Sequence, residues 1–240
     1  MQSYELKFTI NESFLDRNGR TRPGALLYFA QEAAVAHCKL FTLDDPDPLF
    51  WAVIRHKVEI TRLPEKGETI TVETWPMPTT RTAYPRACCG YDAEGNLLFA
   101  VHSLWVLMDK TTRAMVLPGK SGVGVPGILK GCEPATPGSV LPKELPAAGS
   151  RQVSPEDLDG NGHMNNTRYL DWVWELLPEE WATKTPKEFT VCYLSESRLG
   201  QEMFRFWGQT TPETLQFEFR RTKPEDPQKQ ERVFAVSVAF

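Results

Sequence analysis

Tyr4, Leu6, Phe8 and Ile10 alternate with polar residues, the two-residue period of a half-buried strand. From Pro23 the period changes. Leu26, Phe29, Ala30, Ala33 and His37 recur at helical spacing and predict a helix that Thr21 caps and Pro23 opens. Runs rich in β-branched and aromatic residues at 51–63, 68–76, 82–92 and 97–109 predict four strands, separated by turn residues at Lys66-Gly67 and at 92–96. A second series follows the same order. Residues 167–177 carry Tyr169, Leu170, Trp172, Val173 and Leu176 on a helical period, with Asn166 as cap and Pro178 as stop. Strands are predicted at 188–194, 202–210, 214–222 and 232–240. Between the two series, residues 118–148 hold six prolines and six glycines, a composition that cannot continue a helix or a central strand.

The repetition extends to individual residues. The L-D-x-N-G core at Leu15–Gly19 returns at Leu158–Gly162, and at the same 143-residue offset Leu27 meets Leu170 and Glu32 meets Glu175. A period this long indicates duplication of a whole domain, since solenoid repeats run to about 20–50 residues. The predicted class is α+β, each half an antiparallel sheet wrapped around a central helix buried nearly all round. The domains expected are 1–117 and 149–240, joined by a Pro/Gly-rich linker at 118–148. The apolar stripes themselves report core packing.

Composition narrows the function classes. With 240 residues, 41% hydrophobic and 24% charged, the chain is long enough for one large or two ordinary globular domains. No apolar run reaches the length of a transmembrane helix, and the alternating N-terminus does not read as a secretory signal, so a cytosolic location is expected, with no membrane partner. Five cysteines without C-x-x-C spacing suggest neither a disulfide framework nor a thiolate metal site. The net charge of −4 argues against nucleic acid as a partner. Arg17, Arg20 and Arg22 form a basic cluster that is either a solvated surface or a docking spot for an acidic partner. Gly122–Gly127 satisfies G-x-G-x-x-G, but prolines follow where a dinucleotide site needs a helix. The four histidines lie too far apart for a local metal-binding pair, so no metal or cofactor is expected, and His37 and His102 read as core residues.

One segment carries more polar side chains than its structure requires. A helix start needs one good cap, which Asn165 or Asn166 supplies, and Asp159, Asn161 and His163 are then surplus. Spaced two apart in an extended strand end, they would point the same way. Beside a helix N-terminus they would flank unpaired N–H groups and the positive end of the dipole, a setting that stabilises an oxyanion. The competing reading is an Asx-rich turn with a surface histidine.

These residues, together with "RPGALLYFAQEAA", the block from Trp51 to "TWP", "GNLLFAVHSLWVLMDKTTR" and "YLSES", make the chain resemble the acyl-acyl-carrier-protein (acyl-ACP) thioesterases of bacteria and plant plastids. That resemblance spans nearly the whole chain and implies a tandem hotdog fold. It also implies hydrolysis of fatty acyl-ACP to free fatty acid and holo-ACP, with acyl carrier protein bearing a phosphopantetheine-linked acyl chain as partner. The family's catalytic Asp, Asn, His and Glu fall on Asp159, Asn161, His163 and Glu196. Where plant members have a cysteine after the glutamate, this chain has Ser197, which argues against a cysteine nucleophile, and Cys192 is out of register to replace it. The expected chemistry is attack of an activated water: Asn161 and backbone N–H groups orient the carbonyl, Glu196 or His163 is the general base, and Asp159 orients its neighbours or attacks directly. The first half has Arg20 where the second has His163, so it is expected to have lost the chemistry and, as the resemblance implies, to hold the acyl chain. An acyl-CoA thioesterase and a non-catalytic acyl-binding or regulatory protein are the alternatives, and either a monomer or a homodimer is expected.

Overall fold

The alternating N-terminal segment forms β1 (Tyr4–Thr9), its side chains alternately half-buried and exposed. The structure, a computed structural model, describes residues 3–41, 43 and 47–240. Helix α1 (Pro23–Lys39) begins at Pro23, but Thr21 does not cap it. Arg22 is the cap residue, and the Thr21 hydroxyl donates instead to the carbonyl of Pro64 at 2.6 Å. Thr21 is bridged to Leu15, so it belongs to the loop entering the helix and its side chain ties that loop to a second one. Next come β2 (Leu49–Ile60), β3 (Thr69–Pro76), β4 (Tyr84–Tyr91), β5 (Leu97–Asp109), the short β6 (Met115–Val116) and the one-turn α2 (Pro118–Ser121). The second series comprises β7 (Ala147–Gln152), α3 (Asn166–Leu176), the one-turn α4 (Glu179–Ala182), β8 (Glu188–Tyr193), β9 (Glu202–Thr211), β10 (Thr214–Lys223) and β11 (Asp226–Ala239).

The chain divides into two compact units, residues 1–137 and 138–240. In the first, antiparallel pairing gives the order β1-β3-β4-β5-β2, with β6 added to β5. In the second, the order β7-β9-β10-β11-β8 repeats that connectivity strand for strand. β11 starts well before the expected residue 232, because its first half is exposed and polar and is held by backbone pairing to β10 rather than by an apolar face.

Each helix lies on its own sheet. Leu26, Phe29 and Ala33 of α1 are fully covered, and Phe29 meets Phe8 and Phe14 at ring-centroid distances of 4.7 and 4.8 Å. In the second unit Tyr169 stacks on Phe234 at 4.9 Å and Trp172 leans on Phe219 at 6.0 Å. Burying each such side chain contributes roughly 1.5–3 kcal/mol. Neither helix is buried all round, contrary to the expectation from sequence. Tyr28 and Val35 of α1 and Glu175 of α3 are exposed, since a sheet covers only the facing stripe of a helix. His37 and His102 are core residues as expected. Burial, with Arg86 adjacent, lowers the pKa of His37 to about 4, and burial lowers that of His56 to about 3. Among the described residues, no helix is long and apolar enough to cross a membrane.

The segment 118–148 is a strap and not a free linker. Arg86 of β4 reaches His37 of α1 at 3.2 Å, so the alternate residues Ala87 and Cys89 face away from the helix. Ile128 and Cys132 cover that face together with Trp75 and Met77. Hydrogen bonds pin this part of the strap, among them Ile128 N–H to Pro76 O at 2.9 Å, Trp75 Nε1 to Glu133 Oε1 at 2.9 Å, and His102 Nδ1 to Pro134 O at 2.9 Å. In the second unit Val140 packs on Cys192 and Ala235, and Gln216, Arg220 and Arg232 donate to the carbonyls of Leu141, Lys143 and Val140. The prolines and glycines suit this extended course, in which side chains supply most of these hydrogen bonds and no strand ladder forms before β7.

Gly127 shows how closely the strap is seated. A Cβ there would lie 2.0 Å from the carbonyl carbon of Met77, backbone that cannot rotate aside. Gly127→Ala is therefore expected to lower stability by about 1–3 kcal/mol, read as a fall of several degrees in the thermal midpoint. An unchanged midpoint would show that the strap is not held against β3.

Candidate active site

Asp159 opens a closed turn. Its N–H donates to the carbonyl of His163 at 2.7 Å and its own carbonyl accepts from Gly162 at 3.1 Å. One carboxylate oxygen accepts from the N–H groups of Asn161 at 2.8 Å and His163 at 3.1 Å. Gly162 has φ of +75°, the left-handed region that favours glycine. The extended strand end expected from the spacing is thus not formed. Local side-chain-to-backbone bonds win in a segment this rich in Asn, Asp and Gly. The carboxylate of Asp159 is turned onto its own loop, and Asn161 stands exposed at the tip. The Asx-turn reading describes Asp159 correctly.

Helix α3 starts directly after this turn. Asn165 is its cap, accepting from the Thr167 N–H at 3.0 Å, so the cap lies one residue before Asn166. The Asn165 N–H donates to Asp157 O and the Arg168 N–H to Asn165 O. Among the described residues, this leaves the Asn166 N–H as the first-turn amide with no acceptor. Asp157, fully buried, anchors the helix start by accepting from Ser154 Oγ at 2.6 Å and from Trp172 Nε1 at 3.1 Å. Burial pushes its pKa up, but the hydrogen bonds from Ser154 and Trp172 and the charge of Arg151 outweigh that and hold it below the usual carboxylate value.

A second loop, 194–201, brings the glutamate. Met164 N–H donates to Ser197 O at 2.8 Å and His163 is bridged to Arg198, so the two loops run side by side. His163 Nε2 then lies 3.4 Å from Glu196 Oε2, a charge-pairing distance, with side chains 20% and 40% exposed. Ser197 faces the other way. It is fully buried, and its hydroxyl accepts from Tyr169 OH at 2.7 Å, which removes it from the exposed side where His163 and Glu196 meet.

Nothing in the sequence pointed to Arg221, which organises this loop. From β10 its guanidinium donates to Glu196 O at 2.5 Å, Ser195 Oγ at 2.7 Å, Gln201 Oε1 at 3.2 Å and Glu231 Oε1 at 2.6 Å. It sits in a strand of ordinary alternating pattern, and its partners become neighbours only through sheet pairing and the loop after β8.

The first unit contains the same scaffold without the same groups. Asp16 accepts from the N–H groups of Asn18 at 2.8 Å and Arg20 at 3.0 Å, reproducing the turn at Asp159. Gly67 donates to Ile10 O as Gly200 donates to Val153 O, and both glycines have positive φ. These equivalences set Leu63 where the second unit has Glu196, and Arg20 where it has His163. Arg20 pairs with Asp16 at 3.5 Å. Among the described residues, no group of three or more His, Cys, Asp or Glu is placed to hold a metal.

Sequence models of the two acyl-ACP thioesterase domains match this chain, the N-terminal domain over residues 1–117 and the C-terminal domain over 147–233. The chain is 28% identical over 171 residues to the chloroplastic palmitoyl-acyl carrier protein thioesterase of Cuphea hookeriana, covering 62% of this chain and 41% of that protein. It is 32% identical over 148 residues to the chloroplastic oleoyl-acyl carrier protein thioesterase of Coriandrum sativum, covering 55% and 39%. It therefore spans less than half the length of these curated relatives. Among solved structures it is similar to an acyl-ACP thioesterase from Bacteroides thetaiotaomicron, with a TM-score of 0.87 at 23% identity over 99% of this chain and 97% of that one. It is also similar to the 12:0-ACP thioesterase from Umbellularia californica, with a TM-score of 0.75 at 20% identity over 99% and 93%. These structural likenesses establish the shared α+β tandem hotdog fold. With models of both domains matched in order along most of its length, the chain belongs to the acyl-ACP thioesterase family.

Proposed function

We propose that the protein hydrolyses fatty-acyl thioesters of acyl carrier protein, releasing free fatty acid and holo-carrier by attack of water on the thioester carbonyl. The approach of His163 Nε2 to Glu196 Oε2 beside the start of α3 carries this reading. Its counterpart supports it: the other unit keeps the turn but has Arg20 and Leu63 in the two chemical positions, a pattern expected when one copy retains catalysis and the other binds the acyl chain.

Glu196, the more exposed of the pair, is the base that takes a proton from water, and His163 orients its carboxylate. In this reading Asp159 acts through the backbone, one carboxylate oxygen holding the amides of Asn161 and His163, and orients its neighbours rather than attacking the carbonyl. The Asn161 side chain and the Asn166 N–H are the donors for the developing oxyanion, each such donor being worth about 3–4 kcal/mol. A thiol leaves with a pKa near 8.5, so little protonation of the leaving group is needed and the demand falls on the base and the oxyanion donors. The plant relatives are named as chloroplastic; for this chain we place the enzyme in the cytosol, in keeping with five cysteines that carry no disulfide.

Thiol release from matched acyl-ACP and acyl-CoA tests the proposal. Turnover of acyl-ACP at a kcat/KM at least about 10-fold above acyl-CoA is expected. Turnover confined to acyl-CoA would reject the carrier, and binding of acyl-ACP without turnover would make the protein an acyl-binding module. Arg221 offers a second check as a positioning residue. Arg221→Ala is expected to lower kcat by about 10- to 100-fold with KM nearly unchanged, because Glu196 loses its backbone anchor while substrate contacts persist. Arg221→Lys should recover only part of the loss, since one ammonium cannot span the partners of a planar guanidinium. Equal losses in binding and turnover would remove this role.

A further inference from the structure

Cys89 and Cys132 come from separate parts of the first unit, strand β4 and the strap, and their sulfurs lie 3.7 Å apart. Neither belongs to the constellation around His163. Cys89 is fully buried with Trp75, Ala87 and Ala100, while Cys132 packs onto that cluster from outside and is half-buried. The backbone around Cys132 is pinned by the bonds from Ile128, Glu133 and Pro134 to the sheet, so residue 132 is held opposite residue 89. Closing the sulfurs to a bond of about 2.05 Å requires a modest side-chain adjustment. The adjacent Cys88 alternates to the opposite face of the sheet. In the second unit Cys192 is engaged with the Val140 N–H and Gly138 O.

We propose that Cys89 and Cys132 form an oxidisable dithiol, a modification site that hydrogen peroxide converts to a disulfide stapling the strap to the first sheet. The accessible Cys132 reacts first as its thiolate: an S–O bond forms, the O–O bond of peroxide breaks, and hydroxide leaves. The Cys89 sulfur then attacks the Cys132 sulfenic acid; the S–S bond forms, the S–O bond breaks, and the oxygen leaves as water with the thiol proton. Two thiols and one peroxide thus give one disulfide and two waters, the thiols being oxidised by two electrons. Burial, with the Cys132 sulfur alongside, pushes the Cys89 thiol up to about 12, which agrees with Cys132 as the site of first attack.

The test treats the purified full-length protein with a few equivalents of hydrogen peroxide. Non-reducing tryptic mapping should show residues 87–110 linked to residues 131–143, with fragmentation placing the bond at Cys89. The thermal midpoint should rise by about 5 °C, since the bond closes a loop of 43 residues, and dithiothreitol should reverse the rise. Cys132→Ser and Cys89→Ala should each abolish both the linked peptide and the rise. Oxidation of Cys132 to sulfinic acid without a linked peptide, a link through Cys88, or a link that leaves the midpoint unmoved would overturn the proposal.

Discussion

His163→Ala and Glu196→Gln should each lower acyl-ACP hydrolysis at least about 100-fold, the usual scale for an acid–base group. The two effects arise differently. Glu196→Gln keeps the side chain's shape and removes its capacity to take a proton. His163→Ala leaves the carboxylate in place but removes the partner 3.4 Å away that orients it. The double variant should therefore be little worse than Glu196→Gln alone, because groups acting as a unit are lost together. Steady-state thiol release from the three variants checks this, with circular dichroism to confirm folding. Neither side chain is buried, so the fold should survive both changes. Wild-type turnover in either single variant would remove that residue from the chemistry, and multiplicative losses would mean that they act independently.

Glu218→Ala should destabilise the second unit by about 3–5 kcal/mol, the cost of breaking a buried ion pair from one side. Glu218 is fully buried on β10 and pairs with Arg220 at 2.9 Å and with Arg232 at 3.1 Å. It also accepts from the Lys143 N–H at 3.2 Å and Gln216 Nε2 at 3.0 Å. Removing the carboxylate takes the counter-charge from two guanidinium groups and one acceptor from each of two amide donors, leaving Gln216, Arg220 and Arg232 only their bonds to the carbonyls of the strap. Glu218→Gln, which keeps one acceptor oxygen and loses the charge, should cost less. Urea denaturation followed by fluorescence would show a lowered midpoint, and a midpoint within error of wild type would mean that solvent already satisfies these groups.

Much of the candidate site was legible because it is local. Asp159, Asn161 and His163 fall within five residues, and an excess of polar groups before a helix is visible in a string of letters. Their geometry was not legible in the same way. The spacing suggested an extended chain, whereas Gly162 and the Asp159 carboxylate close a turn, because short-range hydrogen bonds compete with strand geometry wherever Asn, Asp and Gly concentrate. Glu196 was reached only through the family resemblance, since nothing in its own neighbourhood marks it. Arg221 and Glu218 were not reached at all. Both lie in strands whose alternation reads as ordinary, and a charged residue in such a strand gives no sign of which distant backbone it will hold.

The chain's own pattern determined two helices, nine of its strands, and the repetition of one unit, because hydrophobic period and turn chemistry are properties of neighbouring residues. The strap was invisible as such: a run rich in proline and glycine announces irregular backbone but not the sheet face that it covers. Only the folded structure decided that Leu63 stands where the other unit has Glu196, since that equivalence runs through loop geometry and hydrogen bonds, with a single glycine, Gly67 and Gly200, in common. Pairing between strands far apart in sequence places a side chain on a distant loop, and no local signal encodes it.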